Sequence, residues 1–299
     1  MREEGYGNAR DTLVMYASNE PRERDTLNAY NIRGQQQSSC FPIDDIKQLA
    51  RHRPFLVLFV IEALLELGIY TKQINTALML QYTFGMSGQV FYVLFVYMAA
   101  AVVAIFLWNL ALRRIGRKKV ICLGILLCLL PHNAALLIAT EDLLGTALRP
   151  FIYASSVLGG AGEGCMYISL SVMHTDVIDD FELKTYRKMA PVLYSLWLFS
   201  RGVMDAISAA ASNGILQAAN YNAHNCVQPN TVKQALRYVT AGTPPAVYVI
   251  ALLFIWLYPI TEESRTKTKM ALDARRAAAD EEERDVLTST DDASVQEIV

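Results

Sequence analysis

Long apolar blocks alternate with short charged punctuation along this chain, and that alternation leaves it very few folds. Six blocks of about twenty or more mostly apolar residues stand at about 54–82, 89–112, 120–140, 147–173, 190–218 and 243–259. A hydrocarbon core ~30 Å thick takes roughly 20 helical residues to cross. Inside it every backbone polar group must be bonded within its own segment. The pattern predicts an all-α membrane protein, a six-helix multi-pass bundle over 54–260 between polar segments 1–53 and 261–299. The first block is the most polar, with Glu62, Glu66, Lys72, Gln73 and Asn75. It is expected to be an interrupted helix that lines a cavity.

Charge gives the expected orientation. With the N-terminus inside, fourteen lysines and arginines gather at the inner ends of the blocks, among them Arg113 to Lys119, Lys184 and Arg265. Only Arg149, Lys233 and Arg237 fall outside. Positive residues stay on the cytoplasmic side, so both termini are expected in the cytoplasm. Residues 1–53 read as a largely disordered polar segment, with a short surface helix from Phe41 to Ala50. The tail reads as a helix from Glu262 to Ala279 followed by a solvated acidic stretch. A formal net charge of −2 gives nucleic acid no basic domain to bind. The five cysteines show no metal-ligand spacing, and Cys122, Cys128 and Cys165 are expected to be small buried residues. The four histidines are scattered, and no nucleophile and base stand in a recognisable order, so an enzyme is not expected.

What remains is a set of ionisable residues inside the apolar blocks. Each costs ~2.5–3.5 kcal/mol at mid-bilayer on insertion scales, so each should face a cavity, a partner or a pathway. Arg201 and Asp205 lie four apart on one helix face. Either Arg201 serves a central cavity, holding an anionic substrate group or a cation-site carboxylate, or the two residues neutralise each other. Glu62 and Glu66 repeat that spacing with like charges, so one is expected to be protonated or paired with another helix. Glu163 sits among Gly159, Gly160, Gly162 and Gly164, which should allow close helix approach. It is a candidate cavity acid. Towards the cytoplasmic face, Arg114, Arg117 and Lys118 of the basic turn could pair with Asp176, Asp179 and Asp180 of the polar run from His174 to Lys188. Such pairs could lock one access state and break in the other.

Arg114-Ile-Gly-Arg-Lys-Lys119 resembles the basic turn of the major facilitator superfamily. Asp176-Val-Ile-Asp-Asp-Phe-Glu-Leu-Lys184 resembles the cytoplasmic loop of the glycoside–pentoside–hexuronide:cation symporter group, and more narrowly that of sodium-dependent lysophosphatidylcholine symporters. Tyr82 to Gly85, Cys226 to Pro229 and Leu257 to Glu263 agree in order and spacing. The resemblance covers roughly 50–275 and implies the C-terminal six-helix half of a twelve-helix transporter working by alternating access.

It further implies sodium as coupling ion, with its site mostly in an N-terminal half, and a lysolipid substrate; a sugar is the alternative. A lipid-binding membrane protein without transport is the alternative of another class. A plasma-membrane location is expected. Arg201 matches a family lysine near the cation and head-group region, whereas Asp205 stands where a small residue is usual. A glutamate of the family's seventh helix has no match in Lys72-Gln73-Ile74-Asn75. Cys226 matches a cysteine whose disulfide partner lies in the other half.

Overall fold

The computed structural model describes residues 49–185, 189–225 and 227–278. The expectations for residues 1–48, for Cys226 and for the tail beyond 278 fall outside that range. Among the described residues the regular elements are helical, and six of them are long: α1 (Arg53–Thr83), α2 (Ser87–Ile115), α3 (Arg117–Ile138), α4 (Leu148–Thr185), α5 (Ala190–Ala218) and α6 (Asn230–Leu257). Of these, α1, α2, α3 and α6 are long and apolar enough to cross a membrane. The other two are comparably long but more polar.

Two compact units result. The larger comprises Ile46–Ile178 and Ala190–Ser264; the smaller includes Asp179–Met189 and the chain from Arg265. In the larger unit α1 is central, with its most extensive packing against α5 and α6. Gly68 lets it meet α6: a Cβ there would stand 2.6 Å from the Tyr248 ring, which is fully buried. Polar pegs join α1 to α5, where Asn75 donates to Ser212 Oγ at 2.9 Å and Ser208 to the Leu67 carbonyl at 3.2 Å.

The glycines of α4 do what their spacing suggests. A Cβ on Gly160 would lie 2.1 Å from the Tyr97 carbonyl oxygen, and one on Gly164 2.5 Å from that of Ala101. Gly159 and Gly162 meet His132 and Cys128 of α3 in the same way. Helix α4 therefore approaches α2 nearly backbone to backbone and meets α3 backbone to side chain.

Four helix boundaries and breaks differ from the sequence expectation. First, α1 is not interrupted: it runs as α-helix over Arg53–Leu78 and widens into a π-turn at Met79–Thr83. Its polar residues bond to neighbouring helices, so the backbone need not break. Second, α3 has a π-turn at Ile125–Leu129, immediately before Leu130–Pro131. Proline cannot donate a backbone bond and crowds the preceding turn, and the wider turn absorbs the misfit.

Third, α6 begins at Asn230, not near 243, with a π-turn at Tyr238–Gly242 before Pro244 and Pro245. Arg237 is accommodated by donating to the Ala139 carbonyl at 2.9 Å, its guanidinium 5.9 Å from the Phe84 ring centre. Fourth, the polar run after Met173 is helix as far as Thr185 rather than loop. It lacks glycine and proline.

In the smaller unit, Asp180 and Lys184 close an i,i+4 pair at 2.7 Å on that helical stretch. Glu182 faces Arg276 at 3.4 Å, and residues 265–278 are helical as expected for the start of the tail.

Candidate functional site

Four ionisable residues of the larger unit, Arg201, Glu66, Glu163 and Lys72, are linked into a string. Arg201 on α5 binds the Glu66 carboxylate of α1 at 2.9 Å. It also donates to the Tyr167 hydroxyl of α4 at 3.3 Å, with its guanidinium 5.5 Å from that ring's centre. Tyr167 lies within electrostatic reach of Glu163, to which Gln73 donates at 2.6 Å. Tyr97 of α2 donates to the other Glu163 oxygen. Lys72 closes the string by donating to the Tyr97 hydroxyl at 2.6 Å, its ammonium 4.7 Å from the ring centre. Every charge embedded along it has a partner on another helix, as the cost of burial requires.

The deep end of the string opens on a cavity of about 430 Å³, walled by α1, α2, α3 and α4. Its polar end is made by Lys72, Gln73, Tyr97, His132, Glu163 and Tyr167; Met79, Leu80, Val93, Leu136 and Ile152 make the rest apolar. Lys72 is 2% exposed, Glu163 3% and His132 3%. The arrangement can take a small polar group at one pole and hydrocarbon at the other.

The five cavity candidates separate into two neighbourhoods plus one outlier. Glu66, Arg201 and Asp205 form one group, and Asp205 is within electrostatic reach of both others. Arg201 is thus tied to Glu66 across helices, which a pairing with Asp205 alone would not give. Glu163 belongs to the cavity. Glu62 stands apart: it meets His174 of α4 at 3.1 Å, and that imidazole stacks on Trp197 with ring centres 3.9 Å apart. Both glutamates of the i,i+4 pair therefore find partners on other helices.

Of the proposed charge network, Arg117 and Asp176 meet at 2.8 Å. Arg117 also holds Glu262 at 3.0 Å by its side chain and at 2.9 Å by its backbone N–H. Gly116 makes that turn at φ 91°, where a Cβ would be strained and would press on Glu262 at 3.1 Å. Lys118 donates to the Tyr258 carbonyl rather than to an acid, and Arg114 is exposed. Asp179 and Asp180 lie in the smaller unit. There burial pushes the Asp179 carboxyl above the usual range, against the pull of Arg276.

Sequence reasoning did not single out Lys72, Tyr97, His132 or Tyr167 as site residues. Lys72 carried a signal, a lone cation inside an apolar block. The tyrosines carried none, because tyrosine is ordinary in such blocks.

A family model described as MFS/sugar transport protein matches residues 12–262. The sodium-dependent lysophosphatidylcholine symporter 1 of Xenopus tropicalis is 27% identical over 266 residues, covering 88% of this chain and 49% of that protein. That of Mus musculus is 28% identical over 247 residues, 82% of this chain and 45% of that protein. A sphingosine-1-phosphate transporter of Xenopus tropicalis is 27% identical over 225 residues, 75% of this chain and 42% of that protein. The chain spans about half the length of the curated relatives it matches. With five-sixths of its length inside the family model, and with helices apolar enough for a bilayer, the chain belongs to the MFS/sugar transport family of the major facilitator superfamily and resembles the sodium-dependent lysophosphatidylcholine symporters.

Proposed function

We propose that the chain is the C-terminal six-helix half of a cation-coupled symporter for a single-chain phospholipid. In this reading α4 and α5 span the membrane together with the four more apolar helices, and both termini are cytoplasmic in a plasma-membrane protein. The reading rests above all on the string from Arg201 to Lys72, since ions embedded on three different helices are costly unless they serve a pathway. The relatives named for lysophosphatidylcholine and for sphingosine-1-phosphate support a substrate with one chain and a phosphate head.

In the mechanism that follows, Arg201 holds the Glu66 carboxylate beside the path of the coupling cation. Arg117 and Asp176 latch the cytoplasmic side and part when access changes. One charge moving down 100 mV supplies ~2.3 kcal/mol for the uphill step. Sodium is the expected coupling ion, bound mainly by the N-terminal half.

The test is uptake into proteoliposomes containing this chain and the N-terminal half of a lysophosphatidylcholine symporter. Labelled lysophosphatidylcholine should accumulate only under an inward sodium gradient, and melibiose should not. Sugar uptake would transfer the chain to the sugar symporters. Lipid binding without flux, with both halves present, would leave a non-transporting lipid-binding protein.

A further inference from the structure

The turn between α2 and α3 carries more cations than the fold uses. Arg117 is held by Asp176 at 2.8 Å and by Glu262 at 3.0 Å, and Lys118 donates to the Tyr258 carbonyl. Arg113, Arg114 and Lys119 of the same turn are exposed, and no hydrogen bond or ion pair engages them among the described residues. Arg113 and Arg114 stand in the last turn of α2, where the helix dipole favours positive charge. Lys119 stands in the first turn of α3, at the positive end of that helix, where a cation is disfavoured. Helix stability therefore does not account for it. Gly116 alone, at φ 91°, separates the two helices, so the three side chains share one short turn.

An apolar face leads to this turn. Val103, Leu107 and Leu110 lie on one side of α2 with Arg114, at spacings of four, three and four residues. All three apolar residues are more than half exposed. Trp256 of α6, also exposed, stands two residues before the Tyr258 that Lys118 holds. An amphipathic ring thus marks the same level, as at a membrane–water boundary. None of these residues lines the four-helix cavity.

We infer that the outer face of the α2–α3 turn is a binding site for an anionic glycerophospholipid of the cytoplasmic leaflet. The guanidinium groups of Arg113 and Arg114 take the phosphodiester oxygens, which suit their planar forks. The Lys119 ammonium takes a further anionic group of the head. One acyl chain lies along Val103, Leu107 and Leu110. A soluble anion would match the cations and leave that apolar face uncovered. The bound lipid braces the turn that carries Arg117, and so steadies its pairing with Asp176 and Glu262. The inference rests on the transport reading only for the side of the membrane.

The test is thermal unfolding of the full chain in neutral detergent. The added probes are dioctanoyl phosphatidylserine, dioctanoyl phosphatidylcholine and glycerophosphoserine. A ligand of the folded chain raises the melting temperature by mass action, and the rise gives an apparent affinity. Phosphatidylserine should bind tightest, and more weakly as salt is raised. At about fivefold per cation, Arg113→Gln with Arg114→Gln should weaken it about 25-fold, and adding Lys119→Gln about a hundredfold in all. Leu107→Gln should weaken it several-fold with the charges intact. Lys233→Gln, on the other side of the membrane in the proposed orientation, should change nothing.

Equal effects of phosphatidylserine and phosphatidylcholine would overturn the site, as would a phosphatidylserine effect that survives the triple variant. Equal stabilisation by glycerophosphoserine would overturn the lipid assignment. A fall in the lipid-free melting temperature of the triple variant would assign the three cations to the fold instead. None of these results touches transport by the paired halves. If Lys119→Cys is labelled from outside intact cells while the phosphatidylserine preference persists, the site stands and the orientation falls.

Discussion

Arg201 shows how one side chain can be legible in sequence while its partner is not. Its spacing to Asp205 allows a pair within one helix as one of two readings, and the guanidinium reaches across to Glu66, whose side chain is 6% exposed. Spacing along a helix cannot see a neighbour that packing brings from elsewhere. Removing Arg201 strands a buried carboxylate. Because the Arg201 side chain is itself 40% exposed, solvent screens part of the pair. Arg201→Ala should therefore cost about 1–3 kcal/mol rather than the full penalty of a dry ion. Thermal unfolding of the detergent-solubilised protein measures it. Adding Glu66→Gln should recover most of the loss, and no recovery would show that Arg201 stabilises through Tyr167 instead.

At the scale of the helices, apolar length located five of the six elements, and the glycine spacing of α4 foretold its close contacts. The sixth was placed too late because Asn230, Thr231, Lys233, Gln234 and Arg237 dilute its first turns. Thr231 donates to the Ala219 carbonyl and Arg237 to that of Ala139, while Asn230 and Gln234 are exposed. Likewise charge marks the polar run after His174 as a loop on sequence grounds, because charge punctuates the other apolar blocks. Its Asp180–Lys184 pair adds about 0.2–0.5 kcal/mol to the helix.

The seam between α2 and α4 is the least forgiving part of the bundle. Gly160→Leu forces a side chain into the Tyr97 backbone, where even a Cβ would come within 2.1 Å. Overpacking of that kind costs about 1–3 kcal/mol or more. The melting temperature in detergent should fall accordingly, and should fall much less for Gly202→Leu, which meets open space.

For the whole molecule, the charge asymmetry of the sequence supports the proposed orientation, with both termini in the cytoplasm. A cysteine in place of His224 should react with an impermeant maleimide added outside intact cells. One in place of Lys119 should react only after permeabilisation. Labelling of both from one side would undo the orientation. The apolar stripe Phe91, Phe95, Met98, Val102 and Phe106 on α2 is exposed along its length, as a surface solvated by hydrocarbon should be. What the sequence could not reveal is the string between helices. Its members come from positions as far apart as Glu66 and Arg201, and only the fold makes them adjacent.

All the cavity's walls come from the stretch between Lys72 and Tyr167. During synthesis those residues leave the ribosome before any of α5 or α6 does, so the nascent chain owns the complete pocket early. Its central helix then still lacks the two neighbours that later brace it through Ser212, Ser208 and Tyr248. Lys72 therefore emerges from the ribosome before the two helices that brace its own helix.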